Sequence, residues 1–181
     1  MTGCQYGQYR NLQAEDLNRQ LFDHFIRRQI VTRCWRRESG QWLIRDVPFV
    51  DDWSEEDYRQ LLEHLSGILA SGGFVYAAFV RGELKGFVSV DAVWLDPERE
   101  YLDLTNLHVS QELRGRGIGR ELFRAAAQWA REQGAKKLYL SAHSSVESQA
   151  FYRAMGCVEA ETYSRKHVEA EPCDCQMECR L

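Results

Sequence analysis

At 181 residues, the chain has the size of one domain and can bury about two-thirds of its unfolded surface without disulfide staples. A net charge of −4 argues against a nucleic-acid partner, and no stretch approaches the roughly 18 consecutive apolar residues of a membrane span. Met1 to Tyr6 lacks the basic and apolar regions of a signal peptide, so the expectation is a cytoplasmic protein whose six cysteines are reduced thiols.

Along the chain there is no repeat and no low-complexity linker. Tyr6–Leu12 reads as a first strand. Glu15–Phe25 carries Leu17, Leu21 and Phe25 at four-residue steps, which predicts a helix. Gln29–Arg37 and Gln41–Val47 predict two strands around the turn Glu38-Ser39-Gly40. Five arginines between Arg27 and Arg37 surround Cys34 and Trp35. They could touch RNA or an acidic partner, and a solvated strand face is the preferred reading. Ser54 caps the next helix, with Asp57 three residues on and an apolar stripe of Tyr58, Leu61, Leu62, Leu65 and Leu69. Gly72-Gly73 ends it. The acidic run from Asp51 to Asp57 suits a helix start, where the dipole favours negative charge; attraction of a cationic amine is the alternative. Trp35, Trp42 and Trp53 either pack this segment or form a homodimer contact.

Phe74–Val80 and Leu84–Leu95 form a hairpin over Arg81-Gly82-Glu83. Tyr101–Val109 is a strand, and Ile118–Gln133 a helix with Ile118, Leu122, Ala125, Ala126 and Trp129 inward and Gly134 as its stop. Lys137–Ala142 is a strand, Ser145 caps a helix to Met155, and Gly156 closes it. A last pair of strands is expected around Cys157–Arg165 and Cys175–Leu181. Cys173, Cys175, Met177, Cys179 and Leu181 alternate with Asp174, Gln176, Glu178 and Arg180, the period of a strand with one apolar and one polar face. Zinc sites draw on Cys-x-x-Cys turns, so buried thiols are preferred and no metal is expected. Strands with interspersed helices predict an α/β sandwich around one sheet.

The most informative stretch runs from Leu107 to Gly119: a strand, a turn with Gly115, Gly117 and Gly119, then a helix. Glycines at alternate positions turn the backbone tightly and bare its N–H groups. A helix N-terminus aimed into the same space makes an anion site suited to a pyrophosphate. The spacing is not that of a P-loop, since no Lys follows Gly119, nor the Gly-x-Gly-x-x-Gly of a Rossmann turn. Arg114-x-x-Gly117-x-Gly119 resembles the Arg/Gln-x-x-Gly-x-Gly/Ala element of the GNAT superfamily of acetyl-CoA-dependent N-acetyltransferases. Ala150-Phe151-Tyr152-Arg153-Ala154-Met155-Gly156-Cys157 resembles a second segment of that superfamily, Ala-x-x-Phe-Tyr-x-x-x-Gly-Phe, with Cys at the final aromatic position.

The resemblance covers about Gly73 to the C-terminus. It implies a single GNAT-like α/β domain with a central mixed, mostly antiparallel sheet and helices on both faces. Residues 73–181 would be the acetyl-CoA-binding core and residues 1–72 the variable, acceptor-side half. The sheet would splay where the cofactor lies, between its fourth and fifth core strands. Acetyl-CoA and an amine acceptor are the implied partners, and a non-catalytic acyl-CoA-binding regulatory module is the alternative function.

Acetyl transfer needs the cofactor held, the carbonyl polarised, the amine deprotonated and the thiolate stabilised. The backbone amides of Gly115, Arg116, Gly117, Ile118 and Gly119 are the candidate pyrophosphate donors, ahead of the side chains of Arg114, Arg116 and Arg120. The resemblance implies a polarising backbone N–H near Leu107, His108 and Val109. It also places a strand glutamate near Asp103, the candidate base, which being shorter would work through a water; a surface carboxylate at a strand start is the alternative. Alternation puts Asp103, Thr105, Leu107 and Val109 on one face and Leu104, Asn106 and His108 on the other, a parity that a bulge would reset. His108 is a further base candidate, with a structural histidine preferred. Tyr152 matches the superfamily tyrosine that protonates the leaving thiolate. Ser145 stands where many members have a cofactor-contacting asparagine; an N-cap is its other reading. Nothing in the sequence names the acceptor amine.

Overall fold

The computed structural model describes residues 7–181; Tyr6, the expected start of the first strand, and the rest of Met1–Tyr6 lie outside the described residues. The elements run β1 (Gln8–Asn11), β2 (Gln29–Glu38), β3 (Gln41–Asp51), α1 (Glu55–Ala70), β4 (Phe74–Val80), β5 (Glu83–Trp94), β6 (Tyr101–Val109), α2 (Ile118–Glu132), β7 (Lys137–Ala142), α3 (Val146–Ala154), β8 (Val158–Glu159), α4 (Arg165–Ala170) and β9 (Cys175–Arg180). Seven strands make one sheet in the order β1-β4-β5-β6-β7-β9-β8, and β2 and β3 pair as a separate hairpin. Neighbours in the large sheet are antiparallel except β6 and β7, which run parallel. Both hairpins close on two consecutive left-handed residues, Ser39-Gly40 and Arg81-Gly82, the turn whose twist matches that of the flanking strands.

The helices cover both faces. One core gathers α2 with Val88, Val90, Leu102, Leu104 and Leu140. The other gathers Tyr58, Leu61, Leu65 and Ile68 of α1 with Val75, Phe87 and Phe22. The capping box at Ser54 and Asp57 forms as the sequence predicts; Ile68 fills the buried place in the stripe expected for Leu69. On α2, Phe123, Ala127 and Ala130 are buried where Ala125 and Trp129 were expected, and Trp129 stacks on Phe74 at 5.4 Å.

Three expectations are corrected. Glu15–Phe25 is not a helix but two 3₁₀ turns, Ala14–Asp16 and Arg19–Phe22. The Asp16 carboxylate accepts from Gln13 N at 2.8 Å and Asn18 Oδ1 from Leu21 N at 3.0 Å, side-chain bonds that compete with a continuous helix. Past Cys157 only Val158–Glu159 pairs with β9, and Arg165 opens α4 rather than ending a strand. Third, β9 lies between β7 and β8, and Gln176 and Glu178 are buried along with Cys175, Met177 and Cys179, while Arg180 stays exposed. Glu178 takes 2.8 and 2.9 Å bonds from Lys137 Nζ and Tyr101 OH, which satisfies its buried carboxylate, and Gln176 Nε2 donates to Ser141 Oγ at 3.0 Å while its Oε1 has no partner among the described residues. Cys173 is exposed, ahead of the strand.

The β2–β3 hairpin lies across the loop before α3. Trp35 N donates to Ser144 O at 2.8 Å and Gln29 Nε2 to Ser145 Oγ at 3.1 Å. Trp53 packs among Phe25, Tyr58 and Phe87, Trp42 donates to Glu159 at 3.1 Å, and Arg153 lies 5.1 Å over Trp35. All three tryptophans therefore have packing partners within the chain.

Candidate active site

The parallel pair β6–β7 is short: Tyr101, Leu102 and Asp103 face Lys137, Leu138 and Tyr139, and beyond them the two strands pair no further. These are the fourth and fifth strands of the sheet. From Leu104 onward the β6 edge facing β7 is open, and a cavity of about 1090 Å³ fills the gap. Its wall includes Leu107 to Val109, Gly115, Gly117, Gly119, Asp103 and Tyr152. Residues 89 and 90 of β5 face Asn106 and Leu104, leaving Thr105 as a bulge. The bulge resets the alternation: Leu102, Leu104, Leu107 and Val109 pack with α2, while Asp103 meets α4 and His108 meets Trp53 and Phe87.

The glycine turn fits an anion. Gly115 and Gly117 have φ of +76° and +89°, and a Cβ on either would meet nothing within 4 Å, so both border open space. Gly117 is the N-cap of α2 and has no side chain to cap it, whereas Ser54 and Ser145 accept an amide at the heads of α1 and α3. The first turn of a helix leaves its N–H groups without intrahelical partners, and the first bond here runs from Glu121 N to Gly117 O at 3.2 Å. Amides in need of acceptors, the positive end of a 15-residue helix and open space coincide, which suits a pyrophosphate. Gly119 permits a close approach, since a Cβ there would lie 3.3 Å from the Phe151 ring.

The arginines divide. Arg114 turns back to donate to Val109 O at 3.0 Å and Arg27 O at 2.9 Å, fixing the loop to the segment before β2. Arg120 borders the cavity, and Arg116 is exposed outside its wall. Ser145 is fully buried and not in the wall; its hydroxyl accepts from Ser148 N and Gln29 Nε2. The structure thus gives it the N-cap role and no place against a cofactor.

Tyr152 is 9 % exposed, packed on Phe123 and Phe151. Burial pushes its hydroxyl above the ordinary phenol range, so it keeps its proton and can donate. Asp103 is 5 % exposed, not a surface carboxylate. Its Oδ2 lies 2.7 Å from His167 Nε2, and its Oδ1 has no partner among the described residues. His108 is held against Trp53, with ring centroids 4.8 Å apart. Burial, with Arg27 and Arg114 nearby, pushes it well below the usual imidazole value, so it is neutral at working pH.

Sequence reasoning missed His64, His167, Glu171 and Asp174, all in the cavity wall. Arg27, expected on a solvated face, is buried there and pairs with Asp51 at 2.7 Å. Burial and the neighbouring Glu171 push the Asp174 carboxyl up to about 7. His167, Glu171 and Asp174 lie within one eight-residue stretch, but no sequence spacing links that stretch to His64 or Arg27, which come from separate segments.

The pattern of the Acetyltransferase (GNAT) family matches residues 30–157. Streptothricin acetyltransferase of Streptomyces lavendulae is 40 % identical over 78 residues, which cover 41 % of this chain and 39 % of that protein. The aligned part thus spans about two fifths of that relative. Among solved structures, a nourseothricin acetyltransferase superposes with a TM-score of 0.67 at 20 % identity, over 97 % of this chain and 98 % of that one. A Bacillus anthracis protein described as a streptothricin acetyltransferase, with acetyl coenzyme A bound, gives 0.70 at 18 % identity over the same shares. These two likenesses establish a shared fold.

Proposed function

We propose, for a chain that belongs to the acetyltransferase (GNAT) family, that it moves the acetyl group of acetyl-CoA onto a primary amine of a small basic molecule by direct attack. The observation that carries this reading is the convergence of the uncapped glycine turn, the open β6 edge, Asp103 and Tyr152 on one cavity. In this reading the amides of Gly115 to Gly119 hold the pyrophosphate and a β6 N–H near Leu107–Val109 polarises the thioester carbonyl. The amine nitrogen attacks the carbonyl carbon, its proton passes to Asp103 directly or through a water, and the C–S bond breaks. Tyr152 donates its proton to the departing sulfur.

The acceptor side of the cavity carries Asp51, Asp103, Glu147, Glu171 and Asp174 against Arg27 and Lys166, a balance that favours a cation. Streptothricin, in the names of two relatives, is the acceptor to test first. The proposed setting is the cytoplasm, where acetyl-CoA and reduced thiols coexist.

The test is a calorimetric titration with acetyl-CoA, then mass spectrometry of streptothricin, a polyamine and a lysine peptide incubated with both. The expected result is one-to-one binding near the micromolar range and the added mass of one acetyl group on a basic acceptor. Binding without transfer to any amine would favour the regulatory module, and folded protein that binds no acetyl-CoA would overturn the reading.

Asp174 makes a second expectation. With its carboxyl raised to about 7, it is neutral below that pH and charged above it, so the cavity gains negative charge as pH rises. The KM of a basic acceptor is expected to fall between about pH 6 and about pH 8, and Asp174→Asn should flatten that change. The stability sign is opposite. A carboxyl with a raised folded-state pKa stabilises fully below its unfolded value and loses that contribution as pH rises through about 7. Asp174→Asn should therefore raise Tm relative to wild type at about pH 8. An equal KM slope in both proteins would detach Asp174 from acceptor binding.

A further inference from the structure

We propose that His167 is the positioning residue for the proton acceptor: its Nε2 holds Asp103 Oδ2 and so fixes the orientation of the carboxylate in the cavity wall. This rests on the reading of Asp103 as the base.

The contact joins residues 64 apart in sequence at 2.7 Å, and both line the cavity. Asp103 Oδ1 is buried without a partner among the described residues. A buried carboxylate oxygen left unsatisfied is costly, so the bond from His167 Nε2 to Oδ2 is the polar contact that holds this carboxylate. The imidazole itself is held on its other sides. Nδ1 lies 2.9 Å from Ser164 Oγ, Ser164 N donates to Tyr139 OH at 2.8 Å, and the Tyr139 ring packs edge-on at 5.2 Å. The carrier of His167 is α4, a six-residue helix that buries none of its residues. The chain Ser164–His167–Asp103 is the polar tie that fastens α4 to β6.

The tie has a chemical consequence. A carboxylate that must take a proton from an amine has to be aimed at it, and loss of aim costs about a hundredfold in rate. His167 supplies the aim by removing the rotation of Asp103. The charged and titratable groups around the pair are Asp103 from β6, Tyr139 from β7, Lys166 on α4 and Glu171 just after it, with His64 of α1 also acting on Asp103. The Asp103 hydrogen bond raises the imidazole above its ordinary value, against burial and Lys166.

The test compares His167→Ala, His167→Gln and Asp103→Asn by steady-state kinetics across pH, with Tm as the fold control. His167→Ala is expected to lower kcat by about 10- to 100-fold with the KM for acetyl-CoA unchanged. His167→Gln, whose amide can still donate to Oδ2, should restore most of kcat. In both variants the wild-type ionisation above the imidazole value should vanish from the kcat/KM profile. Wild-type kcat in His167→Ala together with an inactive Asp103→Asn would overturn the positioning role alone. So would a His167→Gln protein that recovers no rate or keeps the wild-type ionisation, and that arm decides the matter if His167→Ala does not fold. Full activity in Asp103→Asn would remove the base reading on which the proposal stands.

Discussion

Gly117→Glu is expected to weaken acetyl-CoA binding by more than about a hundredfold, or about 2.7 kcal/mol. Two effects add. At φ of +89° any L side chain carries roughly 1–2 kcal/mol of strain, and the new carboxylate enters the open space beside the amides where a pyrophosphate would lie. Gly117→Ala carries the strain without the charge, so its loss should be smaller, and the difference between the two isolates the electrostatic part. Calorimetry with acetyl-CoA checks both, with circular dichroism to show that α2 still forms. A folded Gly117→Glu protein with wild-type affinity would withdraw the pyrophosphate from this turn.

Tyr152→Phe should lower kcat by roughly ten- to a thousandfold while the Kd for acetyl-CoA stays nearly constant. The phenyl ring keeps the contacts with Phe123 and Phe151, so packing and cofactor affinity have little reason to change. What disappears is the proposed proton donor to the departing sulfur. Since burial holds the hydroxyl above the ordinary phenol range, the residue stays protonated throughout the working range, and no basic limb of the rate profile should belong to it. Single-turnover kinetics over pH reads both points; an unchanged rate would take Tyr152 out of the reaction.

Between these two experiments lies a division in what the chain shows on its face. The glycine turn and α2 were legible because their signals are local. A positive-φ turn needs glycine, a helix needs a 3.6-residue apolar stripe, and both are written within 25 residues of one another. The two hairpins, the Ser54 capping box and the β6 strand were legible for the same reason. The failures were also local in origin. Leu17, Leu21 and Phe25 carry a helical spacing, yet Asp16 and Asn18 captured the amides with their own side chains and broke the segment into two turns. Period-two counting on β6 went astray at Thr105, because a bulge depends on the partner strand β5, and no single-strand pattern contains it.

The sequence by itself determined the family, most of the elements from β4 onward and two of the residues that line the cavity, Asp103 and Tyr152. Only the tertiary structure decided which face Asp103 shares with His108, that Arg114 braces the loop, that Ser145 is a helix cap, and that His64, His167, Glu171 and Asp174 meet in one wall. The physical reason is range. Propensity, capping and turn geometry act over a few residues and leave a mark in the order of side chains. The meeting of Asp103 with His167 follows from the strand order of the sheet and from the short β6–β7 pairing that parts beyond Asp103, and neither is encoded in the spacing of any one segment.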